Sequence, residues 1–253
     1  NMADMPYAAR AKEVISAFLT DYTPQELEEC AQGAYAAERF GSDPAPVRQV
    51  ADMHVLELWH GPTHAFKDMA LQMLPRLMTR AVKKTKMDKE VLILVATSGD
   101  TGKAALEGFC GVEGTQVGVF YPVDGVSPAQ KLQMITQEGK NVHVCAVEGN
   151  FDDAQTGVKR IFGDEGFAGE LSGKGIVLSS ANSINWGRLA PQVAYYFSAY
   201  ADLIKSGAVE MGDEVNFCVP TGNFGNILAA YYAKRMVLPV GRLICASNEN
   251  NVL

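Results

Sequence analysis

The stretch WHGPTHAFKDMALQML, residues 59 to 74, places Lys67 between Phe66 and Asp68, where a turn gives way to an apolar-periodic run. Most lysines are solvated, and a cation at a helix start is electrostatically disfavoured, so an incidental lysine is the plain reading. A lysine desolvated by Phe66 and close to positive helix ends has a lowered pKa, and such an amine is the nucleophile that forms a Schiff base with an aldehyde. Two further stretches supply anion chemistry. VLILVATSGDTGKAA, residues 91 to 105, runs a strand into a glycine turn and a helix, exposing backbone N–H groups at a positive helix end. VPTGNFGNILAA, residues 219 to 230, repeats the device, with Gly222 and Gly225 interleaved with Asn223 and Asn226. Neither is a nucleotide signature. Gly102-Lys103 is followed by Ala104 instead of Ser or Thr, Thr97 stands where a P-loop has its first glycine, and the second stretch lacks the three-glycine dinucleotide pattern. Taken singly, each is more often a tight turn, the first with Asp100 or Thr101 as helix cap. A lysine and two cradles in one chain favour function.

Those residues must be positioned by the elements around them. The first forty residues read as helices: YAARAKEVISAFL has an apolar face, and TPQELEECAQGAYAAERF opens with Thr23 as cap, Pro24 in the first turn and Glu26 soon after. GSDPAPVRQVAD breaks the pattern, and HVLELW is a short strand candidate. A helix follows, with Ala70, Leu71, Leu74, Leu77, Met78 and Ala81 at helical spacing and a kink predicted at Pro75. From Val91 the rhythm becomes strand, turn, helix: VLILVA, GKAALEGFCG, TQVGVFYP, SPAQKLQMITQEG, NVHVCAV, FDDAQTGVKRIFG, GIVLSSA. Such alternation implies right-handed crossovers and a buried parallel sheet, hence an α/β fold. A long helix, WGRLAPQVAYYFSAYADLIKSG, leads to the strand EVNFCVP, the second glycine turn, a helix and the strand RLICAS. The predicted division is an N-terminal helical segment with the lysine helix at 1–90, a small α/β domain at 91–181, and the start of a larger domain at 182–253.

Composition removes other function classes. The 253 residues carry a net charge of −7, which repels phosphate at long range and argues against a general binder of nucleic acid or anionic membranes. The longest apolar run, Val91 to Ala96, is far below the ~20 residues of a membrane helix. The N-terminus lacks the basic and apolar regions of a signal peptide. Five scattered cysteines, Cys30, Cys110, Cys145, Cys218 and Cys245, have no metal-ligand spacing and read as reduced core thiols in the cytoplasm. His60 and His64 flank the lysine without partners at ligand spacing, so no metal site is expected, although His64 is a candidate pocket residue.

The motifs GPTHAFKD, ATSGDTG, SSANSINWGR and PTGNFGN, in this order and at these separations, closely resemble the pyridoxal-phosphate enzyme threonine synthase over nearly all of residues 50 to 253. The resemblance implies the three-layer parallel-sheet fold shared with the tryptophan synthase β-subunit and cysteine synthase relatives. It implies that Lys67 is the Schiff-base lysine and the proton-moving base. It implies that the backbone amides of Gly222, Asn223, Phe224, Gly225 and Asn226 take the cofactor phosphate. Asp100 would face the cofactor's ring hydroxyl, and Ser98, Gly99 and Thr101 the substrate carboxylate. The reaction implied is conversion of O-phospho-L-homoserine and water to L-threonine and phosphate. A guanidinium suits the substrate phosphate, and Arg188 with Asn182, Ser183 and Asn185 is the candidate. A structural helix start anchored by Trp186 is the competing reading of that segment, and Lys103 the competing cation. The family's N-terminal DGGL-type segment is not seen, and its portion beyond ASNENNVL, which brings a hydroxyl residue to the pyridine nitrogen, does not follow. The expectation is therefore a front half that needs its C-terminal half or another copy as partner. The alternatives are a phospho-lyase relative and a non-catalytic domain; an intact Lys67 speaks against the latter.

Overall fold

The structure is a computed structural model describing residues 2–183 and 185–247. Contacts divide the chain into two compact units, Asn1–Gly61 with Ser183–Leu253, and Pro62–Asn182. In the first unit a 3-10 turn at Met2–Asp4 precedes helices α1 (Tyr7–Ser16), α2 (Pro24–Ala34) and α3 (Ala37–Phe40). Thr23 and Glu26 form the reciprocal capping box that the sequence predicts for α2, with Pro24 in its first turn. The segment read as a break contains a strand, β1 (Val47–Val50), which pairs antiparallel with β2 (Met53–Leu56). Two residues join them, Ala51 with φ 54 and Asp52, a hairpin signal without the usual glycine.

The second unit carries α4 (Asp68–Leu71), α5 (Leu74–Lys84), β3 (Glu90–Ala96), α6 (Asp100–Phe109), β4 (Thr115–Pro122), α7 (Pro128–Ile135), β5 (Val142–Val147), α8 (Phe151–Gly163), α9 (Glu165–Gly173) and β6 (Ile176–Ser180). Its four strands lie in the order β5-β4-β3-β6, all parallel, as the alternation predicts. The sequence pattern does not separate α9 from the loop before β6. Pro75 does not kink one helix; it lies in the first turn of α5, where a proline loses no helical hydrogen bond, and the lysine run is two helices. Leu71 and Leu74 enter the same core as Ile93, Val95, Leu106, Phe109, Val117 and Met134. Residues 62–90 therefore group with the four-stranded sheet, whereas the sequence pattern drew the boundary at 90.

The chain then returns to the first unit with α10 (Trp186–Ser206), β7 (Val215–Pro220), α11 (Gly225–Arg235) and β8 (Val240–Ala246), β7 and β8 pairing in parallel. Arg10 of α1 locks onto α10, its Nη1 donating to Ser198 Oγ at 2.8 Å and to Asp202 Oδ1 at 2.6 Å. Trp186 packs edge-on against Phe18 and Tyr232, ring centroids 5.1 and 5.2 Å away, so it is a core anchor at the head of α10. The cysteines differ from the expectation of core thiols: Cys30 is buried and Cys110 partly so, but Cys145, Cys218 and Cys245 are exposed. Along β5 the exposed His143 and Cys145 alternate with less exposed valines, so Cys145 takes the outer face of an edge strand. Among the described residues no helix is long and apolar enough to cross a membrane.

Candidate active site

Lys67 occupies the N-cap position of α4, and the loop before it is fixed by buried polar groups. Asp68, fully buried, accepts from the Thr63 amide at 2.8 Å and from the Thr63 hydroxyl at 2.6 Å. Lys103, also buried, donates from Nζ to the Thr63 carbonyl. Thr63 is thus held at its amide, hydroxyl and carbonyl by two charged side chains. Burial pushes the Asp68 carboxyl above its ordinary range, opposed by the hydrogen bonds from Thr63 and Ala65 and by the charge of Lys103. Beside the clamp His64 sits in the left-handed region at φ 56, unusual for a residue with a Cβ and a mark of local strain. Lys67 itself is partly exposed, its Nζ 4.6 Å from the centre of the Phe66 ring and 3.8 Å from Asp100 Oδ2. The Phe66 contact is the one the sequence predicts. The acid is an addition, and its attraction is for the ammonium form rather than the free amine.

Asp100 belongs to the turn Thr97–Gly102 at the head of α6. The sequence predicts Asp100 or Thr101 as the cap, but Thr97 does that work: its buried hydroxyl accepts from the amides of Gly99 and Gly102, both at 3.0 Å. Gly99 has φ 155 and ψ −101, and Gln130 lies directly over it, where a Cβ would fall 2.5 Å from the carboxamide. Gly102 is equally obligatory, since a Cβ would meet Thr97 Cγ2 at 2.4 Å and Met134 and Val119 at 2.9 Å. Gly108, two turns on, lets α6 touch the Leu71 carbonyl at the end of α4, where a Cβ would fall 2.1 Å from that oxygen. Ser98 is exposed and Thr101 half-buried in the same turn.

In the other unit, Thr221–Asn226 joins β7 to α11. No side chain caps α11, and among the described residues the amides of Gly222 through Asn226 make no hydrogen bond. Gly222, Asn223 and Phe224 are exposed, and a Cβ on Gly222 would meet nothing within 4 Å. Asn226 is pinned from α10: its Oδ1 accepts from the Tyr195 hydroxyl at 2.5 Å and the Tyr196 hydroxyl at 2.7 Å. Burial raises the pKa of both phenols, so they stay protonated donors. Gly225 is backed by Ser183, whose Cβ lies 3.5 Å from where its own would be. Asn185 caps α10 through its own side chain, accepting from Gly187 at 2.9 Å, while the exposed Asn182 donates its amide to Ser180 Oγ at 3.0 Å. Arg188 is buried in the first turn of α10, and burial lowers its pKa to about 10.

The structure therefore brings Lys67 together with Asp100 in one unit and builds the Gly222–Asn226 cradle in the other. Lys103, the competing cation, donates to the Thr63 carbonyl and holds that loop. His60 Nε2 lies 2.7 Å from Glu57 Oε2, and His64 is exposed. Thr63, Asp68, Thr97, Gln130 and the Tyr195–Tyr196 pair escaped the sequence pattern. A local trace existed for Gln130 alone, as the last residue of the capping-box spacing Ser127-x-x-Gln130.

A partly exposed amine in one unit suits an aldehyde, and a helix head with free backbone donors in the other suits a phosphate. The chain matches the family of pyridoxal-phosphate dependent enzymes over residues 49–253 and belongs to it; its fold is that of the tryptophan synthase β-subunit, and its cofactor is pyridoxal phosphate. Within that family it is similar to human threonine synthase-like 1, at 45% identity over 98% of this chain and 34% of the relative. It is also similar to the threonine synthase of Pseudomonas aeruginosa, at 43% identity over 98% of this chain and 51% of that protein. The X-ray structure of PLP-bound threonine synthase from Brucella melitensis superposes with a TM-score of 0.87 at 41% identity, covering 98% of this chain and 51% of that one. The chain spans about a third to a half of the length of these relatives.

Proposed function

We propose that the protein containing this chain converts O-phospho-L-homoserine and water to L-threonine and phosphate. The observation that carries this reading is the placement of Lys67 Nζ 3.8 Å from Asp100 at the head of α6, in a family whose cofactor is an aldehyde. Lys67 holds pyridoxal phosphate covalently, and the free amides of Gly222 to Asn226 take its phosphate. The cofactor, when bound, draws electrons from the substrate's Cα and so eases proton removal there. The Lys67 amine, when it is not bonded to the cofactor, would move the protons at Cα, Cβ and Cγ along one face of the substrate. Ser98, Gly99 and Thr101 take the substrate carboxylate, Asp100 faces the cofactor, and Arg188, with Asn182 and Ser183, takes the substrate phosphate through its planar fork. Asn185 keeps its cap on α10 and acts through Arg188.

A second reading, elimination of phosphate without hydration, uses the same lysine and cradle. Identity is 45% to human threonine synthase-like 1 and 43% to the threonine synthase of Pseudomonas aeruginosa, so identity does not rank the two relatives and product analysis must separate the two reactions. Borohydride reduction followed by peptide mapping should put the pyridoxyl mass on Lys67, and another site would refute the assignment. Product analysis with O-phospho-L-homoserine then separates threonine from an elimination product. Arg188→Ala should weaken substrate use more than cofactor retention, by about 1.5–3 kcal/mol for a lost charged hydrogen bond. An equal loss of both would remove Arg188 from the substrate site. The protein works with a partner half or a second copy, in the cytoplasm.

A further inference from the structure

Gln130 has no part in the reading above, yet it touches both residues that bring the α6 turn to Lys67. Its Nε2 donates to Asp100 Oδ1 at 2.7 Å, on the side of the carboxylate opposite the oxygen that faces Lys67. Its Oε1 accepts from Ser127 Oγ at 2.9 Å, and its backbone amide donates to Ser127 Oγ at 3.3 Å, so the head of α7 fixes the oxygen end of the carboxamide. The carboxamide also fills the space where a Gly99 Cβ would sit, all three of its outer heavy atoms within 2.5–2.6 Å of that point. The hydrogen bond and the fit over Gly99 are separate observations and agree. A carboxylate with about a third of its surface exposed would otherwise be free to turn into water.

We infer that Gln130 is a positioning residue that holds the Asp100 carboxylate toward the Lys67 amine. The inference rests on the role of Lys67 proposed above. Of the other charged groups nearby, Asp68 is turned to Thr63 and Lys103 to the Thr63 carbonyl, while Asp100 Oδ2 lies 3.8 Å from Lys67 Nζ. Lys131, on α7, lies 6.0 Å from the centre of the Tyr121 ring.

The test is the pH dependence of Lys67 labelling by an amine-selective reagent in cofactor-free protein, read by peptide mapping, in wild type, Gln130→Leu, Asp100→Asn and the double variant. Gln130→Leu should lower the labelling midpoint by roughly 0.3–0.7 pH unit, the scale of a part-exposed ion pair. Asp100→Asn should lower it at least as far, and the double variant no further than Asp100→Asn alone, because the two act through one contact. Ser127→Ala, a change at an exposed residue, should give a smaller shift of the same sign. A wild-type midpoint in Gln130→Leu beside a lowered one in Asp100→Asn would overturn the inference, as would fully additive shifts. Borohydride mapping of the loaded wild type is scored separately, so failure of the Lys67 assignment is told apart from failure of Gln130.

Discussion

The two glycine turns, Thr97–Gly102 after β3 and Thr221–Asn226 after β7, begin with the same residue in the same place and use it in opposite ways. Thr97 turns its hydroxyl forward, accepts from the amides of Gly99 and Gly102, and so consumes donors that an anion would need. Thr221 turns its hydroxyl back and donates to the Val219 carbonyl at 2.8 Å, leaving the turn's amides open. From sequence both read as anion cradles; in the structure the first is closed at the Gly99 and Gly102 amides by Thr97 and aims a carboxylate at Lys67, and the second keeps the unpaired donors of a helix head. Availability of N–H groups, which one hydroxyl rotamer decides, separates a phosphate site from a positioning site more sharply than glycine count.

The largest expected effects fall on the closed turn. Thr97→Val keeps the shape but leaves the buried Gly99 amide without an acceptor, for a loss of about 1–3 kcal/mol. Thr221→Val removes one donor to a carbonyl and should lose about 0.5–1.5 kcal/mol. Denaturant unfolding of both variants checks the order, and an equal loss would break the contrast. Gly102→Ala belongs with the first group, at about 1–3 kcal/mol, since its Cβ would enter the core between Thr97, Met134 and Val119.

Much of this is legible in the sequence. Alternation from Val91 predicts β3 to β6 and the helices between them other than α9, because each buried strand is a short apolar run with a helical crossover beside it. Lys67 and the open cradle were marked by local composition, and local composition is what a single sequence displays. The clamp on Lys67 was not legible, because it depends on folding partners far apart: Lys103 reaches Thr63 across 40 positions and Gln130 reaches Asp100 across 30. β1 escaped for a different reason, having exposed residues on three of its four positions and so no apolar alternation.

The next effect is a slope with pH, and it sharpens the difference because, among the described residues, Asp68 in the unit around Lys67 is the buried acid. The Asp68 carboxyl is raised above its ordinary 3.8, chiefly by burial. The folded state therefore binds that proton more tightly than the unfolded chain, so the stability it lends is fully present below 3.8 and is lost as pH rises through the folded value. Asp68→Asn removes this titration. The stability of wild type relative to the variant should fall as pH is raised from 3.8, in urea unfolding over a pH series. A flat difference would mean that Lys103 and the Thr63 hydrogen bonds fully offset burial.

The smallest effect on folding should come from Gly222→Ala. Gly222 is exposed, its φ lies outside the left-handed region, and an added Cβ meets no atom within 4 Å. Stability should stay within about 0.5 kcal/mol of wild type, the range of surface substitutions free of special features. The same methyl group would project from a turn whose amides are unpaired, beside any phosphate those amides received. Pyridoxal phosphate affinity should therefore fall about tenfold or more, the scale of one lost charge-assisted hydrogen bond. Fluorescence titration of the cofactor, paired with unfolding of the same variant, reads both quantities. Lost affinity with unchanged stability would assign the open turn to binding. Unchanged affinity would place the cofactor phosphate elsewhere, and the contrast between the two threonines would then be one of folding alone.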